Sequence, residues 1–149
     1  KQSKATIQDF EINYVMIKNF LKILNKKQPK KIIFFSTQAI YGEDTHNPNT
    51  TEETIPDPTS YYGIAKYTAE RLLTKSAKEK KIPLTIIRTP RVYGPGDNPS
   101  NYGPTKFVDH LKKNKILQIW GDGTEKRDFV YIDDVIKIIH KLSNNQFIQ

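Results

Sequence analysis

Two short strand-like runs, Ile32-Ile33-Phe34-Phe35 and Leu84 to Arg88, constrain this chain most, because each follows a helical pattern and each leads into a long loop. Runs of this kind are buried on both faces, and helices packed on a parallel sheet are what bury them. Ahead of the first run, Phe10, Tyr14, Ile17, Leu21 and Leu24 recur at spacings of four, three, four and three, one stripe of an amphipathic helix. Lys26-Lys27 close its last turn and Pro29 stops it. Ahead of the second run, a helix is predicted from Thr59-Ser60 to about Lys80, with Ile64, Ala65, Ala69, Leu72, Leu73 and Ala77 as its packing side and Pro83 beyond its end. The loops are residues 42–59 and Thr89 to Gly103, both rich in proline. In open parallel sheets ligands sit outside the carboxyl ends of the strands, so both loops fall on the edge where site residues belong.

The remainder reads as a mixed tail. Pro104 suits the first turn of a short helix carrying Phe107, Val108 and Leu111. Ile116 to Trp120 and Asp128 to Ile132 read as two short extended segments around Gly121-Asp122-Gly123, and Asp133 as the cap of a last helix through Leu142.

At 149 residues and 36% hydrophobic content, the chain has the length of a single globular domain. Its longest purely apolar run, Ile32 to Phe35, is too short for a transmembrane helix, and Lys1-Gln2-Ser3-Lys4 leads into no signal-peptide core, so a cytoplasmic location is expected. Without cysteine there is no thiol chemistry, and His46, His110 and His140 have no metal-ligand spacing. The formal charge of +8 comes in blocks: eight lysines against two acids in residues 1–31, five acids alone in residues 32–65, and sixteen basic against nine acidic residues in residues 66–149. No recognition motif accompanies the basic blocks, and nucleic acid is not the expected partner.

Chemistry must then come from hydroxyls, carboxylates, amines or a cofactor. Tyr62 and Lys66 lie four apart in the second predicted helix, on one face. A nearby ammonium favours the phenolate, which makes such a pair a plausible acid/base unit. Eight tyrosines and twenty lysines yield about one Tyr-x-x-x-Lys by chance, and the chain has three. Tyr14, paired with Lys18, lies on the apolar stripe and reads as a core residue, while Tyr102, paired with Lys106, precedes Pro104 and does not share a regular helix with it. Only Tyr62 opens a helix directly after a site-edge loop. The plain alternative, an exposed tyrosine beside a solvated lysine, stays open on local grounds, as does a purely structural Thr37 closing its strand.

The order of motifs carries a resemblance. Phe35-Ser36-Thr37-Gln38-Ala39-Ile40-Tyr41-Gly42, Pro58-Thr59-Ser60-Tyr61-Tyr62-Gly63-Ile64-Ala65-Lys66, Arg88 to Pro95, and Gly121 through Arg127-Asp128-Phe129-Val130-Tyr131 to Val135 resemble the extended short-chain dehydrogenase/reductase family. Within it the likeness is to NAD-dependent nucleotide-sugar epimerases and dehydratases. The resemblance implies an α/β chain with a partial Rossmann-like, doubly wound parallel sheet plus the start of a smaller substrate-binding lobe. Residues 1–95 would be the second half of the NAD-binding domain, and residues 96–149 a mixed segment contributing to the substrate lobe and returning to the sheet.

The same resemblance implies roles. Tyr62 would be the catalytic acid/base, Lys66 would bind the nicotinamide ribose and hold down the phenol's pKa, and Thr37 would hydrogen-bond the reacting oxygen. Asn13 and Pro90 would line NAD, Arg91 would stand near the sugar, and Arg127 would meet the substrate diphosphate. The implied partners are a nucleotide sugar and, at full length, a second copy in a homodimer, with no membrane.

Departures from the family pattern narrow the reaction. Dehydratases of the group carry Asp-Glu after the catalytic threonine, where this chain has Gln38-Ala39, so epimerisation or simple redox fits better than elimination of water. Arg91 stands where asparagine is frequent, and Met16 replaces a usual small residue. No Gly-x-x-Gly-x-x-Gly occurs, the turn on which the family binds the dinucleotide diphosphate. The expected function is therefore an NAD-dependent epimerase of a nucleotide sugar, present as a central fragment. The alternatives are an NAD(P)-dependent reductase of the same fold and a non-catalytic truncated binding module.

Overall fold

A computed structural model describes residues 5–42, 49–97, 103–116, 122 and 126–144. The chain forms two compact units, residues 1–89 and 90–149.

The first unit is built from α1 (Ile7–Leu24), β1 (Ile32–Thr37), a 3-10 turn (Gln38–Tyr41), α2 (Tyr61–Lys80) and β2 (Leu84–Thr89). At the start of α1 the Thr6 backbone N–H and hydroxyl donate to the Asp9 carboxylate at 2.6 and 2.9 Å, which holds that carboxyl below its ordinary pKa. β1 and β2 pair in parallel, from Ile32 opposite Leu84 to Thr37 opposite Thr89, with α2 as the crossover between them. Ser60 caps α2, its hydroxyl accepting from Gly63 N–H at 3.1 Å. Its other end closes through Lys81, left-handed at φ 55°, and the Ile82 N–H then returns to the Ala77 carbonyl.

The core of this unit joins Ile17 and Leu24 of α1, Ala69, Leu73 and Ala77 of α2, and Ile32 and Ile82. Three expectations are corrected here. Tyr14 is 42% exposed and stacks on Phe10 instead of entering the core, which α1 supplies with Ile17 and Leu24 and, packed against them, Leu21. Ile64 is exposed as well, since the buried row of α2 runs Ala65, Ala69, Leu73, Ala77, and Ile64 lies about 100° around the helix from it. β1 is not buried on both faces: Phe35 is 38% exposed, on the side opposite the buried Ile32 and Ser36.

The second unit holds β3 (Arg91–Tyr93), α3 (Gly103–Lys112), β4 (Phe129–Tyr131) and α4 (Ile132–Ser143). β3 lies inside the stretch expected to be loop, and β4 pairs with it in parallel, Arg91 opposite Phe129 and Tyr93 opposite Tyr131. A three-residue strand carries almost no periodic signal of its own and is fixed by its partner. The Tyr93 ring packs against those of Phe129 and Tyr131, with centroids 6.3 and 5.4 Å away. Gly94 follows at φ 150°, and a Cβ there would stand 2.5 Å from the Ile132 side chain, so the turn leaving β3 requires glycine. α4 begins after Tyr131, which places Asp133 inside its first turn and not at the cap. Tyr102 and the segment 117–120 lie outside the described residues. Among the described residues no helix is long and apolar enough to cross a membrane.

Candidate active site

The carboxyl end of β1 and the amino end of α2 meet because two residues allow it. Gly63 lacks a side chain where a Cβ would stand 2.6 Å from the Ala39 carbonyl oxygen, so the first turn of α2 lies against the 3-10 turn that leaves β1. Ser60 starts the helix at that point.

Tyr62 and Lys66 occupy the first two turns of α2, on one face, and Tyr62 is 37% exposed. The Lys66 side chain runs back to β1, where its Nζ donates to the Phe35 carbonyl at 2.5 Å and lies 4.7 Å from the centre of the Phe34 ring. Burial pushes this ammonium below the usual lysine range, and the Glu70 carboxylate opposes that shift. Thr37 ends β1 two residues beyond Phe35, and its Oγ1 accepts from Ala39 N–H at 3.2 Å. That bond uses a lone pair of the hydroxyl and not its O–H hydrogen. Thr37, Tyr62 and Lys66 are thus gathered at one strand end.

Asn13 lies on α1, one turn before Ile17, and its amide donates to the Asp9 carbonyl at 2.8 Å. The other expected site residues belong to the second unit. Pro90 begins it, Arg91 opens β3, and Arg127 stands two residues ahead of β4, exposed. Because Arg91 pairs with Phe129, the two arginines flank the same end of the β3–β4 pair. Among the described residues no cluster of three or more His, Cys, Asp or Glu side chains could hold a metal ion.

Sequence reasoning missed an ion-paired cluster beneath α2. Glu70 is 2% exposed and receives two bonds from Arg88, from Nε at 3.2 Å and Nη2 at 2.9 Å. Arg88 Nη1 also donates to the Tyr41 hydroxyl, and the guanidinium lies 5.2 Å from that ring's centre. The Glu70 bonds hold Arg88 protonated more firmly than an ordinary arginine. Beside it, Ser36 is buried opposite Arg88, and its hydroxyl has no hydrogen-bond partner among the described residues. The signal available in the sequence was the placement of Glu70 one turn after Lys66, in line with the buried face.

The family model for the "NAD dependent epimerase/dehydratase family" matches residues 1–147. A UDP-glucose 4-epimerase from Thermotoga maritima, solved with UDP-glucose, is 38% identical at a TM-score of 0.78, with 88% of this chain and 43% of that one covered. A UDP-glucuronic acid 4-epimerase from Bacillus cereus, solved with UDP-glucuronic acid and NAD, is 33% identical at a TM-score of 0.76, covering 87% of this chain and 40% of the other. A dTDP-D-glucose 4,6-dehydratase from Dictyostelium discoideum is 33% identical over 143 residues, 89% of this chain and 33% of its own length. The chain spans less than half the length of the curated relatives it matches.

Proposed function

Because the chain belongs to the NAD dependent epimerase/dehydratase family, we propose that it supplies the proton-transfer centre of an NAD-dependent nucleotide-sugar epimerase, as the central part of that enzyme. The observation that carries this reading is the convergence of Tyr62, Lys66 and Thr37 at the carboxyl end of β1, with the Lys66 ammonium drawn in against the strand. The residues present fit the nicotinamide end of NAD: a partly buried ammonium for the ribose hydroxyls and an exposed phenol at a strand end. They include no Gly-x-x-Gly-x-x-Gly turn for the diphosphate.

When bound, NAD supplies a reversible acceptor for the hydride of a sugar carbon. Tyr62 takes the proton of the hydroxyl on that carbon and returns it once the keto sugar has presented its other face. Lys66 favours the phenolate by its charge and holds the ribose. Thr37 donates its hydroxyl hydrogen to the reacting oxygen. Asn13 and Pro90 line the cofactor, Arg91 stands near the sugar, and Arg127 takes the diphosphate, for which a guanidinium's several donors are suited.

Epimerisation is favoured over dehydration at the position after Thr37. Gln38 is an amide, and Ala39 is a buried residue whose carbonyl faces Gly63, so neither offers the acid and base that removal of water needs. A cytoplasmic homodimer at full length completes the proposal. Ile12 and Met16 on α1, each 60% exposed, are the kind of apolar surface such an interface would cover.

The test is Tyr62→Phe in the intact protein, with UDP-glucose and UDP-glucuronic acid as substrates. Loss of the acid/base lowers turnover by about 10²- to 10⁴-fold, and near-normal turnover ends the assignment. Reduced nicotinamide absorbance stays constant during turnover of an epimerase, whereas a steady change identifies a reductase.

A further inference from the structure

Lys66 directs its charge differently from Lys75, Lys113 and Lys137, which are exposed and each reach a carboxylate about one turn away. It begins the row Lys66, Glu70, Leu73, Ala77 on α2, at spacings of four, three and four, and the last three of these are buried. Phe34 shares a face of β1 with the buried Ile32 and Ser36 and packs against the core that α2 lines. The Lys66 Nζ therefore comes to stand 4.7 Å from the centre of the Phe34 ring while donating to the Phe35 carbonyl at 2.5 Å. A cation within about 6 Å of a ring centre is drawn to the negative face of the ring, more strongly once water is excluded. Burial disfavours this ammonium, and a ring face offsets that cost where an aliphatic side chain of the same bulk could not. The carbonyl engages one of the three N–H donors, and the ring holds the charge without supplying a further acceptor, so donors remain for a ligand.

We propose that Phe34 is a positioning residue for Lys66, its ring face and the Phe35 carbonyl forming one seat that holds the ammonium charged on the carboxyl half of β1. Neither part of that seat titrates. On its own helix Lys66 has Tyr62 one turn ahead and Glu70 one turn behind, and both Glu70 oxygens are bonded to Arg88 of β2. Arg88 also donates to Tyr41 of the 3-10 turn, and α1 meets the core through the apolar Ile17, Leu21 and Leu24. A change at Phe34 leaves all of these charges in place. The catalytic meaning of the seat rests on the role proposed for Lys66 above.

The test keeps the shape at position 34 and changes the ring. In the full chain Phe34 is replaced by mono-, di- and trifluorophenylalanine, which weaken the negative ring face step by step, and by leucine in Phe34→Leu, which removes it. The titration of Lys66 is read from the 13Cε resonance of labelled lysine, assigned by its loss in Lys66→Met. Its midpoint falls in order of fluorination, by about half a pH unit at trifluorophenylalanine and at least as far in Phe34→Leu. A midpoint level along the fluorinated series overturns the proposal, whatever the leucine variant does. Should the substituted chains fail to fold, the wild-type chain decides: Lys66 Hε resonances moved upfield by the ring and cross-relaxing with the Phe34 ring protons support the seat, and their absence overturns it. Turnover is read in neither arm, so a failed epimerase assignment and a failed Phe34 role give different results.

Discussion

The backbone of α2 comes closest to the turn leaving β1 at Gly63, and there two effects of known size compete. In a helix interior alanine is favoured over glycine by about 1 kcal/mol. Against that, a Cβ at position 63 would stand 2.6 Å from a backbone oxygen and 3.1 Å from the Pro58 side chain, neither of which is the free end of a flexible group. Overpacking of this kind costs about 1–3 kcal/mol, and the clash outweighs the propensity. Gly63→Ala is therefore expected to lower stability by up to about 2 kcal/mol in urea unfolding. It should also weaken any turnover, because it pushes Tyr62 and Lys66 away from Thr37. A variant more stable than wild type would show that the helix start yields without cost.

Helix α2 offers a paired experiment at its two ends. Ser60→Ala removes the acceptor of the Gly63 N–H and is expected to cost about 1 kcal/mol. Lys81, at the other end, holds a left-handed conformation that costs an L-residue about 1–2 kcal/mol. Glycine adopts it freely but loses about 0.5–1 kcal/mol more entropy on folding. The balance leaves Lys81→Gly more stable by a few tenths to about 1 kcal/mol. Urea midpoints of the two variants should therefore move in opposite directions, and a Lys81→Gly midpoint below wild type contradicts this account. Both ends of α2 were legible in the sequence, because caps and proline stops act within a few residues. So was Thr37 at its strand end. The pairing of β3 with β4 was not, since three-residue strands are decided by a partner some forty residues away. Glu70 was only half legible: its place one turn after Lys66 aligns it with the buried face of α2, but the partner that allows a carboxylate there, Arg88, lies on the next strand, 18 residues on.

At the scale of the whole chain, the order of four motifs made the family legible, while the absence of a glycine-rich turn bears on what these 149 residues can bind. Dinucleotide affinity in an open α/β sheet draws on two places: the strand-end groups that meet the nicotinamide ribose, and the helix terminus whose N–H groups take the diphosphate. For the first, Lys66 and Tyr62 are the groups proposed above. For the second, the nearest candidate is Gly94-Pro95-Gly96. There Gly94 is locked against Ile132, and Pro95 has no N–H to offer a phosphate. Three of the lysines, Lys75, Lys113 and Lys137, are exposed and already paired with Glu79, Asp109 and Asp134. Calorimetry of the 149-residue chain with NAD is thus expected to show a dissociation constant of about 1 mM or weaker, some 4 kcal/mol of binding at most. Stoichiometric binding at micromolar concentration would mean that these residues hold the diphosphate by another route. In that event Arg91→Ala and Arg127→Ala, at the shared end of β3 and β4, are the variants in which the affinity should then fall.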